Sequence, residues 1–289
     1  MKERTEYISS TQNTGVKHVV ALQQKSSIRR REGVFVVEGR REITHCLEAG
    51  YVIESLYLCP PLYEHAELTD KQGHEADIRV DEIIKKVNDT AKIYEVAPMV
   101  YDKMAYRGGT EGMIAVVKSH ELTLEELNLS ESPLIVVLES VEKPGNLGAI
   151  LRSADAANAD AVVVCDPLTD LYNPNLIRSS IGAIFTVPCV ACRTEECISF
   201  LKGKGIRILT AQLQDSHLYY DIDMCCGTAI VMGTESTGLS SAWRTAADAH
   251  IRIPMLGKLD SLNVSVSAAI LLFEAVRQRS TSSFAAVIQ

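Results

Sequence analysis

Residues 134–152 read LIVVLESVEKPGNLGAILR and determine the fold that this 289-residue sequence predicts. The first five residues form a continuous apolar run, which is typical of a strand buried inside a parallel sheet. Gly145 and Gly148 then indicate a turn, and a helix is expected from about residue 147 to 157. A buried strand followed by a turn and a helix is the repeating unit of α/β domains.

Two further glycine-containing blocks follow apolar runs in the same half of the chain. VMGTESTGL occupies residues 231–239, and IPM at 253–255 runs on to DSLNVSVS at 260–267. In each block, glycines or small residues are mixed with a few polar side chains after a predicted strand. This pattern predicts a cofactor pocket lined by backbone beside a reaction centre.

The sequence predicts two α/β domains with a linker between them. Residues 133–289 have the regular strand–helix alternation of a mainly parallel sheet, closed by a helix at 264–277 and followed by a frayed tail from Ser280. Residues 1–118 predict a smaller α/β domain, and the polar, acidic stretch 119–132 predicts the linker. Strands of the smaller domain are expected at 33–39, 53–58 and 112–117, and helices at 17–25, 41–49 and 81–87.

The composition indicates a folded, water-soluble protein. Hydrophobic residues make up 46% of the chain and charged residues 23%. No apolar run approaches the roughly 20 residues that a membrane-spanning helix needs, and the N-terminus has no apolar segment of the secretory type. We therefore expect a cytoplasmic protein whose eight cysteines are reduced and which does not associate with membranes.

The formal net charge of −8 argues against nucleic-acid binding by overall charge, but one local stretch is basic. A local patch, rather than the global charge, neutralises phosphates. An RNA-binding role and a solvated helix face both explain this stretch, which comprises Lys25, Arg29, Arg30, Arg31, Arg40 and Arg41.

A dinucleotide-binding site is an alternative interpretation of the first block. A strand, a glycine turn, a helix and Asp166 about 20 residues farther on resemble part of that fingerprint. The turn lacks the first close glycine pair of G-x-G-x-x-G, and it carries Asn146 and Arg152, which the fingerprint does not require. A nicotinamide-dependent dehydrogenase would also leave the second and third blocks unexplained.

Together and in this order, the three blocks resemble the signature of the SpoU (TrmH-type) RNA ribose 2′-O-methyltransferases, over residues 133–279. The resemblance implies S-adenosylmethionine as cofactor, no metal ion, a deep trefoil knot in the C-terminal domain, and a homodimer formed through that domain. The phrase FVVEGR at 35–40 resembles the L30e-like substrate-binding module of many members. That module implies structured RNA as the partner, and ribosomal RNA rather than the tRNA alternative, because minimal tRNA-directed members lack it.

The resemblance also assigns site residues, position by position. It implies that one set of polar residues forms the reaction centre: Asn146, Arg152, Glu235, Ser261 and Asn263. Cofactor-binding positions are Gly233, Ile253 and Leu262, and Met255 is expected to add to the pocket wall. RNA contacts are expected from Arg29, Arg30, Arg31 and Arg178.

Each polar position also has a purely structural explanation. Asn146, Ser261 and Asn263 precede or begin helices, where side-chain oxygens cap backbone N–H groups. Arg152 is compatible with a surface salt bridge, and Arg178 lies in a segment with Pro174 at a helix start. The functional and structural roles are not exclusive.

The chemistry expected of Arg152 is that of a cation. The family resemblance implies that this residue faces the reacting ribose or its phosphate, and a role as base has been proposed for it. A guanidinium stays protonated in proteins. We therefore expect Arg152 to stabilise the developing alkoxide and bind the adjacent phosphate, with the proton leaving late.

The pair Cys189 and Cys192, with Cys197 beyond it, has a C-x-x-C spacing that occurs in zinc and redox sites. No second C-x-x-C or H-x-x-x-H pair accompanies it, so no metal site is predicted.

The resemblance of the three blocks to the SpoU family predicts that the protein is an RNA 2′-O-methyltransferase. The alternative from a different functional class is a non-catalytic RNA-binding protein of the same fold.

Overall fold

The structure is a computed structural model that describes residues 5–63, 80–106, 111–234, 237–259 and 261–287, with side chains described as far as residue 280. It divides into two compact units. Unit 1 comprises Met1–His120 and Tyr172–Thr186, and unit 2 comprises Glu121–Leu171 and Val187–Gln289. Tyr172–Thr186 thus packs with unit 1, although the sequence assigns it to the second predicted domain.

Unit 1 is built on a five-stranded mixed sheet with strand order β1-β4-β3-β5-β2. Strand β5 runs antiparallel to both of its neighbours, and the other pairs are parallel. The strands are β1 (Glu6–Ile8), β2 (Val34–Glu38), β3 (Ile53–Leu58), β4 (Lys92–Val96) and β5 (Met113–Lys118). The helices are α1 (Thr14–Gln24), α2 (Ser26–Glu32), α3 (Arg40–Glu48), α4 (Val80–Lys86), α5 (Pro98–Met104), α7 (Pro174–Ser179) and α8 (Ala183–Thr186).

Local signals fix the helix ends in unit 1. Asn13 caps α1 because its Oδ1 accepts hydrogen bonds from the backbone N–H of Gly15 at 2.8 Å and of Val16 at 3.4 Å. Gly33 ends α2 at φ +64°, a left-handed conformation that favours glycine, and turns the chain into β2. Helices α1 and α5 pack together above the sheet, burying Val19, Leu22 and Met104.

Unit 2 is built on a seven-stranded sheet with order β10-β12-β9-β11-β6-β7-β8, in which every adjacent pair is parallel. Its strands are β6 (Leu134–Glu139), β7 (Ala161–Cys165), β8 (Cys189–Cys192), β9 (Arg207–Ala211), β10 (His217–Leu218), β11 (Thr228–Met232) and β12 (Ala249–Arg252). Its α-helices are α6 (Pro144–Ala156), α9 (Thr194–Gly203), α10 (Ser241–Ala246) and α11 (Val264–Val287), and a 3-10 turn spans Tyr219–Asp221.

Helices cover both faces of this sheet, as expected for a parallel sheet with buried strands. On one face, Val137, Val163 and Ile208 form a core with Leu201 of α9 and Trp243 of α10. Helix α11 packs on α6 and contacts β11. The predicted α/β class with a parallel C-terminal sheet is confirmed.

The tail prediction was wrong: α11 continues through Ser280 to Val287 instead of fraying. The predicted helix at 147–157 begins earlier, because Pro144 occupies its first turn with a φ already suited to a helix. Strands β1 and β4 were missed because their short, partly polar sequences give little apolar periodicity, and helix α9 was also missed. Among the described residues, no helix combines the length and apolarity needed to cross a bilayer.

Candidate active site

The three glycine-containing blocks follow the carboxyl ends of strands in one parallel sheet. Strand β11 lies between β6 and β9, and β12 pairs with β9 on its far side. The chain leaves β11 at Gly233, leaves β12 at Ile253, and passes from β6 into α6 through the turn after Glu139. Because carboxyl ends of parallel strands share one edge, the sheet brings the blocks to the edge where α/β proteins bind ligands.

Gly233 lies where two backbone segments approach closely. A Cβ atom built on it would be 2.5 Å from the backbone nitrogen of Leu239 and closer still to the carbonyl group of Gly238. The loop returns on itself because Gly238 adopts φ +68° and its N–H donates to the carbonyl of Thr234 at 3.1 Å. Only glycine fits position 233 without moving this loop.

Polar side chains stabilise the turn between these glycines. The Oγ1 atoms of Thr234 and Thr237 lie 2.7 Å apart, and the N–H of Thr237 donates to Thr234 Oγ1 at 3.0 Å. Glu235, which the sequence assigns to the reaction centre, lies outside the described residues. The two threonines thus stabilise the described ends of this turn.

The structure brings together Asn146 and Asn263, which are 117 residues apart in sequence. The Nδ2 of Asn263 donates to Oδ1 of Asn146 at 3.3 Å, and Oδ1 of Asn263 accepts from the N–H and hydroxyl of Ser265 at 3.0 and 2.6 Å. Asn263 therefore caps α11 as its sequence position allows, and it also joins the first block to the third. Ser261 is exposed two residues earlier.

Asn146 does not cap helix α6. The cap position is Lys143, and Asn146 lies within the first turn, where its N–H donates to the Lys143 carbonyl at 3.1 Å. The capping explanation from the sequence is therefore wrong for this residue. Its side chain is available to bridge to Asn263 because the helix begins three residues earlier than the glycine pattern predicts.

Arg152 lies on α6, about 9 Å along the helix axis from Asn146 at 1.5 Å per residue. Its side chain is exposed, and the described residues provide no hydrogen bond or ion pair to it. The salt-bridge explanation from the sequence is thus unsupported in this part of the chain. A guanidinium free of protein carboxylates can bind an external anion.

Apolar side chains line the third block but are poorly covered. Ile253 and Met255 are half-buried, and Leu262 is 38% exposed. Leu256 is 97% exposed and Leu259 76% exposed, although both are leucines. A cluster of uncovered apolar side chains beside backbone turns can accept the flat face of a base.

These features fit the cofactor that the sequence implies. The close backbone approach at Gly233 places main-chain atoms of Gly238 and Leu239, rather than a side chain, beside this residue at the end of β11. Ile253, Met255 and Leu262 offer the apolar surface that an adenine ring needs.

Glu139 at the carboxyl end of β6 is a residue that the sequence analysis missed. It is buried, its Oε2 accepts the N–H of Ser240 at 2.8 Å, and its Oε1 accepts the hydroxyl of Thr194 at 3.5 Å. Ser240 directly follows the 233–239 turn, so the carboxylate fixes the end of that loop to strand β6. The sequence did carry one signal for this residue, which is the position of an acidic side chain directly after the apolar run LIVVL.

Glu139→Ala is expected to lower the free energy of unfolding by about 1–3 kcal/mol, because the partly buried N–H of Ser240 loses its acceptor. Urea unfolding followed by circular dichroism measures the change. Glu142→Ala is the matched control, since Glu142 is exposed in the following turn and should alter stability by less than about 0.5 kcal/mol. Equal effects of the two substitutions would contradict this role for Glu139.

The predicted basic surface is only partly present. Arg29 is 5% exposed, and its guanidinium donates to the backbone carbonyls of Leu22 and Gln23 at the end of α1. Arg29 therefore does not belong to an RNA-binding surface, and this prediction is corrected by its burial. Arg30 and Arg31 are exposed, and Arg31 pairs with the adjacent Glu32 at 2.6 Å.

Arg178 lies instead at a cleft of about 340 Å³ within unit 1. Two exposed arginines, Arg41 and Arg178, line this cleft, and Tyr106 adds an aromatic ring. Glu38 and Glu111 add carboxylates to the same cleft. The sequence proposed Arg178 but gave no signal that it would be close to Arg41.

Comparison with known proteins gives two family matches. Residues 133–273 match the SpoU rRNA Methylase family, and residues 13–115 match the MRM3-like substrate binding domain. The first match contains all three glycine-containing blocks and ends within α11.

Curated relatives with similar sequences are methyltransferases of ribosomal RNA. The chain is 38% identical over 188 residues to the 23S rRNA (guanosine-2′-O-)-methyltransferase RlmB of Vibrio vulnificus, covering 63% of this chain and 76% of that protein. It is 29% identical over 276 residues to the 23S rRNA (uridine(2479)-2′-O)-methyltransferase of Streptomyces viridochromogenes, covering 93% and 92%.

Solved structures show the same fold over nearly the whole chain. The SpoU methyltransferase AviRb from Streptomyces viridochromogenes, in complex with AdoMet, superimposes with a TM-score of 0.80 at 28% identity, covering 93% of this chain and all of that one. An AdoMet-bound rRNA methyltransferase from Sinorhizobium meliloti gives a TM-score of 0.81 at 26% identity, covering 94% and 98%.

Proposed function

Because the chain belongs to the SpoU rRNA Methylase family, we propose that it transfers a methyl group from S-adenosylmethionine to a ribose 2′-hydroxyl of large-subunit ribosomal RNA. The observation that carries this proposal is the meeting of the three blocks at one sheet edge, with Asn146 of the first block hydrogen-bonded to Asn263 of the third. The 23S rRNA activities of the curated relatives favour ribosomal RNA over tRNA.

S-adenosylmethionine supplies a methyl group on a sulfonium, which is already activated for attack by oxygen. The protein therefore mainly has to bind and orient. In our proposal the turn at Gly233 binds through its main chain, and Ile253, Met255 and Leu262 cover the adenine. Glu235 orients the 233–239 turn from within it.

Arg152 acts as a fixed cation at the reaction centre in this proposal. As the proton of the 2′-hydroxyl leaves to solvent, negative charge develops on the oxygen that attacks the methyl group, and a guanidinium stabilises that charge without accepting a proton. Asn146, Ser261 and Asn263 provide neutral donors and acceptors that orient the ribose. The exposed guanidinium of Arg152 supports this role, because no described carboxylate competes with the RNA for it.

Unit 1 is proposed to bind the RNA fold around the target nucleotide. Its match to a substrate-binding domain supports this, as does the cleft with Arg41, Arg178 and Tyr106. Two cations and an aromatic ring suit a phosphate next to an unpaired base. Exposed Arg30 and Arg31 extend the basic surface on α2. The net charge of −8 makes long-range attraction weak, so recognition depends on RNA shape.

Arg178→Ala is expected to weaken binding of a ribosomal RNA fragment about 10-fold and to reduce the salt dependence by about one phosphate contact. Affinity for S-adenosylhomocysteine should not change. Fluorescence anisotropy at several salt concentrations measures both quantities. Arg193→Ala is the control, because Arg193 is an exposed arginine of unit 2 at the start of α9. An unchanged salt slope for Arg178→Ala would exclude a phosphate contact.

The assembly proposed is a homodimer formed through unit 2, with the trefoil knot that the family resemblance implies. Val266 and Phe273 lie seven residues apart on one face of α11, and they are 47% and 48% exposed. A second copy of the chain would cover this apolar face. Light scattering tests the dimer, and a monomeric mass at micromolar concentration would contradict it.

We place this activity in the cytoplasm, where ribosomal RNA is available. All eight cysteines lie within the described residues, and no disulfide forms among them there, which supports a reducing compartment.

The test of the proposal is methyl transfer from radiolabelled S-adenosylmethionine to purified RNA. Large-subunit ribosomal RNA that lacks the modification should be labelled, whereas small-subunit RNA and tRNA should not. Labelling of tRNA alone would replace the proposed substrate. RNA binding without transfer to any of these RNAs would indicate a non-catalytic RNA-binding protein.

A further inference from the structure

Three cysteines converge at the carboxyl ends of β7 and β8 in unit 2, and none of them belongs to the turns assigned to the cofactor. Cys165 ends β7, Cys192 ends β8, and Cys197 lies in the first turns of α9. Their Sγ atoms all lie within 4.8 Å of one another. Cys165 and Cys197 are fully buried, and Cys192 is half-buried, so the cluster is reached from solvent at one point.

This cluster is not the C-x-x-C pair that the sequence drew attention to. Residues 189–192 form strand β8, and side chains three residues apart in a strand point to opposite faces. Cys192 pairs in register with Cys165 on the neighbouring strand, so these two residues share a face. Helix α9 then places Cys197 over that face. The strand geometry separates Cys189 from the cluster.

We propose that Cys165, Cys192 and Cys197 form a binding site for a soft, thiophilic metal ion. Metal–sulfur distances near 2.3 Å require sulfur atoms about 3.8 Å apart, so the three thiols need to move by less than about 1 Å to share one ion. Three thiolates select ions such as Cu(I) or Zn(II) over hard ions such as Mg²⁺. The role is structural, because the site holds two strand ends and a helix start together.

The surroundings favour a cation at this position. The carboxylates of Glu196 and Asp166 lie close to Cys192. The three thiols release their protons as they bind the ion. The same two carboxylates attract positive charge to the exposed side of the cluster.

The register of the sheet also connects this cluster to the active-site loop. Glu139 pairs with Cys165, and Cys165 pairs with Cys192, so the three residues form one row across β6, β7 and β8. Glu139 accepts hydrogen bonds from Thr194 at the start of α9 and from Ser240 after the 233–239 turn. An ion that fixes the start of α9 would stiffen both partners of this carboxylate.

The experiment is an anaerobic titration of the full-length, reduced, metal-free protein with Zn(II), and separately with Cu(I), against a chromogenic chelator of each ion. One equivalent should bind with proton release and with protection of three thiols from a thiol reagent. Mg²⁺ should not compete. Cys165→Ser, Cys192→Ser and Cys197→Ser should each weaken binding by at least about 100-fold. Cys189→Ser is the matched control and should bind normally.

Several outcomes would overturn the proposal. If the wild-type protein bound neither Zn(II) nor Cu(I), the proposal would be wrong whatever the variants show. This outcome does not depend on the variants, so it remains decisive even if a buried serine prevents them from folding. Binding lost equally in Cys189→Ser, or retained in all three cluster variants, would place the ion elsewhere. A Cys165–Cys192 disulfide in protein isolated without reductant, with no metal uptake after reduction, would identify a redox pair instead.

Discussion

Arg152→Ala is expected to lower kcat for methyl transfer by about 10²–10³-fold, the loss typical of removing one group that stabilises developing negative charge. The affinity for S-adenosylhomocysteine should stay within about twofold of the wild-type value, because that pocket is assigned to other residues. KM for RNA should rise less than kcat falls if the cation acts mainly in the transition state.

Arg152→Lys separates charge from geometry. A lysine keeps the positive charge but loses the planar, five-donor guanidinium, so we expect an intermediate activity. Arg193→Ala again serves as a control for removal of an exposed arginine from unit 2. A rate for Arg152→Ala within about threefold of wild type would contradict a role at the reaction centre. A pH–rate profile that loses a basic limb only in this variant would instead support the arginine as a base.

Gly233→Ala is expected to reduce affinity for S-adenosylhomocysteine by about 5- to 150-fold. The added Cβ would overlap the backbone of Gly238 and Leu239, so the turn must shift, at a cost of about 1–3 kcal/mol. Calorimetric titration measures the affinity. Because backbone atoms rather than a flexible side chain oppose the methyl group, the shift should also lower the midpoint of thermal unfolding.

Gly203→Ala is the matched control for this substitution. Gly203 is the last residue of α9, and a Cβ atom there would meet nothing within 4 Å. It should leave cofactor affinity unchanged. If Gly233→Ala bound S-adenosylhomocysteine as tightly as Gly203→Ala, the turn would not be part of the pocket.

The parallel sheet of unit 2 was predictable because its strands are continuous apolar runs. LIVVL at 134–138 and AVVVC at 161–165 bury both faces, and such strands are recognised without knowledge of their partners. By contrast, β8 has the sequence CVAC and β4 has KIYEV, which are short and give little periodicity. These segments form strands because they pair with a neighbouring strand of the sheet, and a local sequence pattern carries no information about that neighbour.

The candidate site was predictable in position but not in its interactions. The glycine-containing block at 231–239 predicted a pocket lined by backbone, and the structure shows that position 233 is restricted by Gly238 and Leu239. The bond between Asn146 and Asn263 joins residues 117 positions apart, so it depends on the packing of α11 against α6.

Burial determines which of the basic residues are available to bind RNA, and the sequence alone could not reveal which residues are buried. Arg29 and Arg30 are adjacent, yet Arg29 turns inward to the carbonyl groups at the end of α1, while Arg30 faces solvent. A helix face is set by the elements packed against it, which a run of like charges does not reveal. For a similar reason the sequence singled out Cys192 and Cys197 but not Cys165, since the three members of the cluster come from two strands and a helix.

The chemical identity of the product tests the central claim most directly. Large-subunit ribosomal RNA, labelled by the wild-type protein with radioactive methyl groups, is hydrolysed completely in alkali and its fragments are separated. Alkaline cleavage requires a free 2′-hydroxyl, so our account predicts that the label is recovered in a single alkali-resistant dinucleotide. Label in mononucleotides would mean methylation of a base and would contradict the proposed reaction.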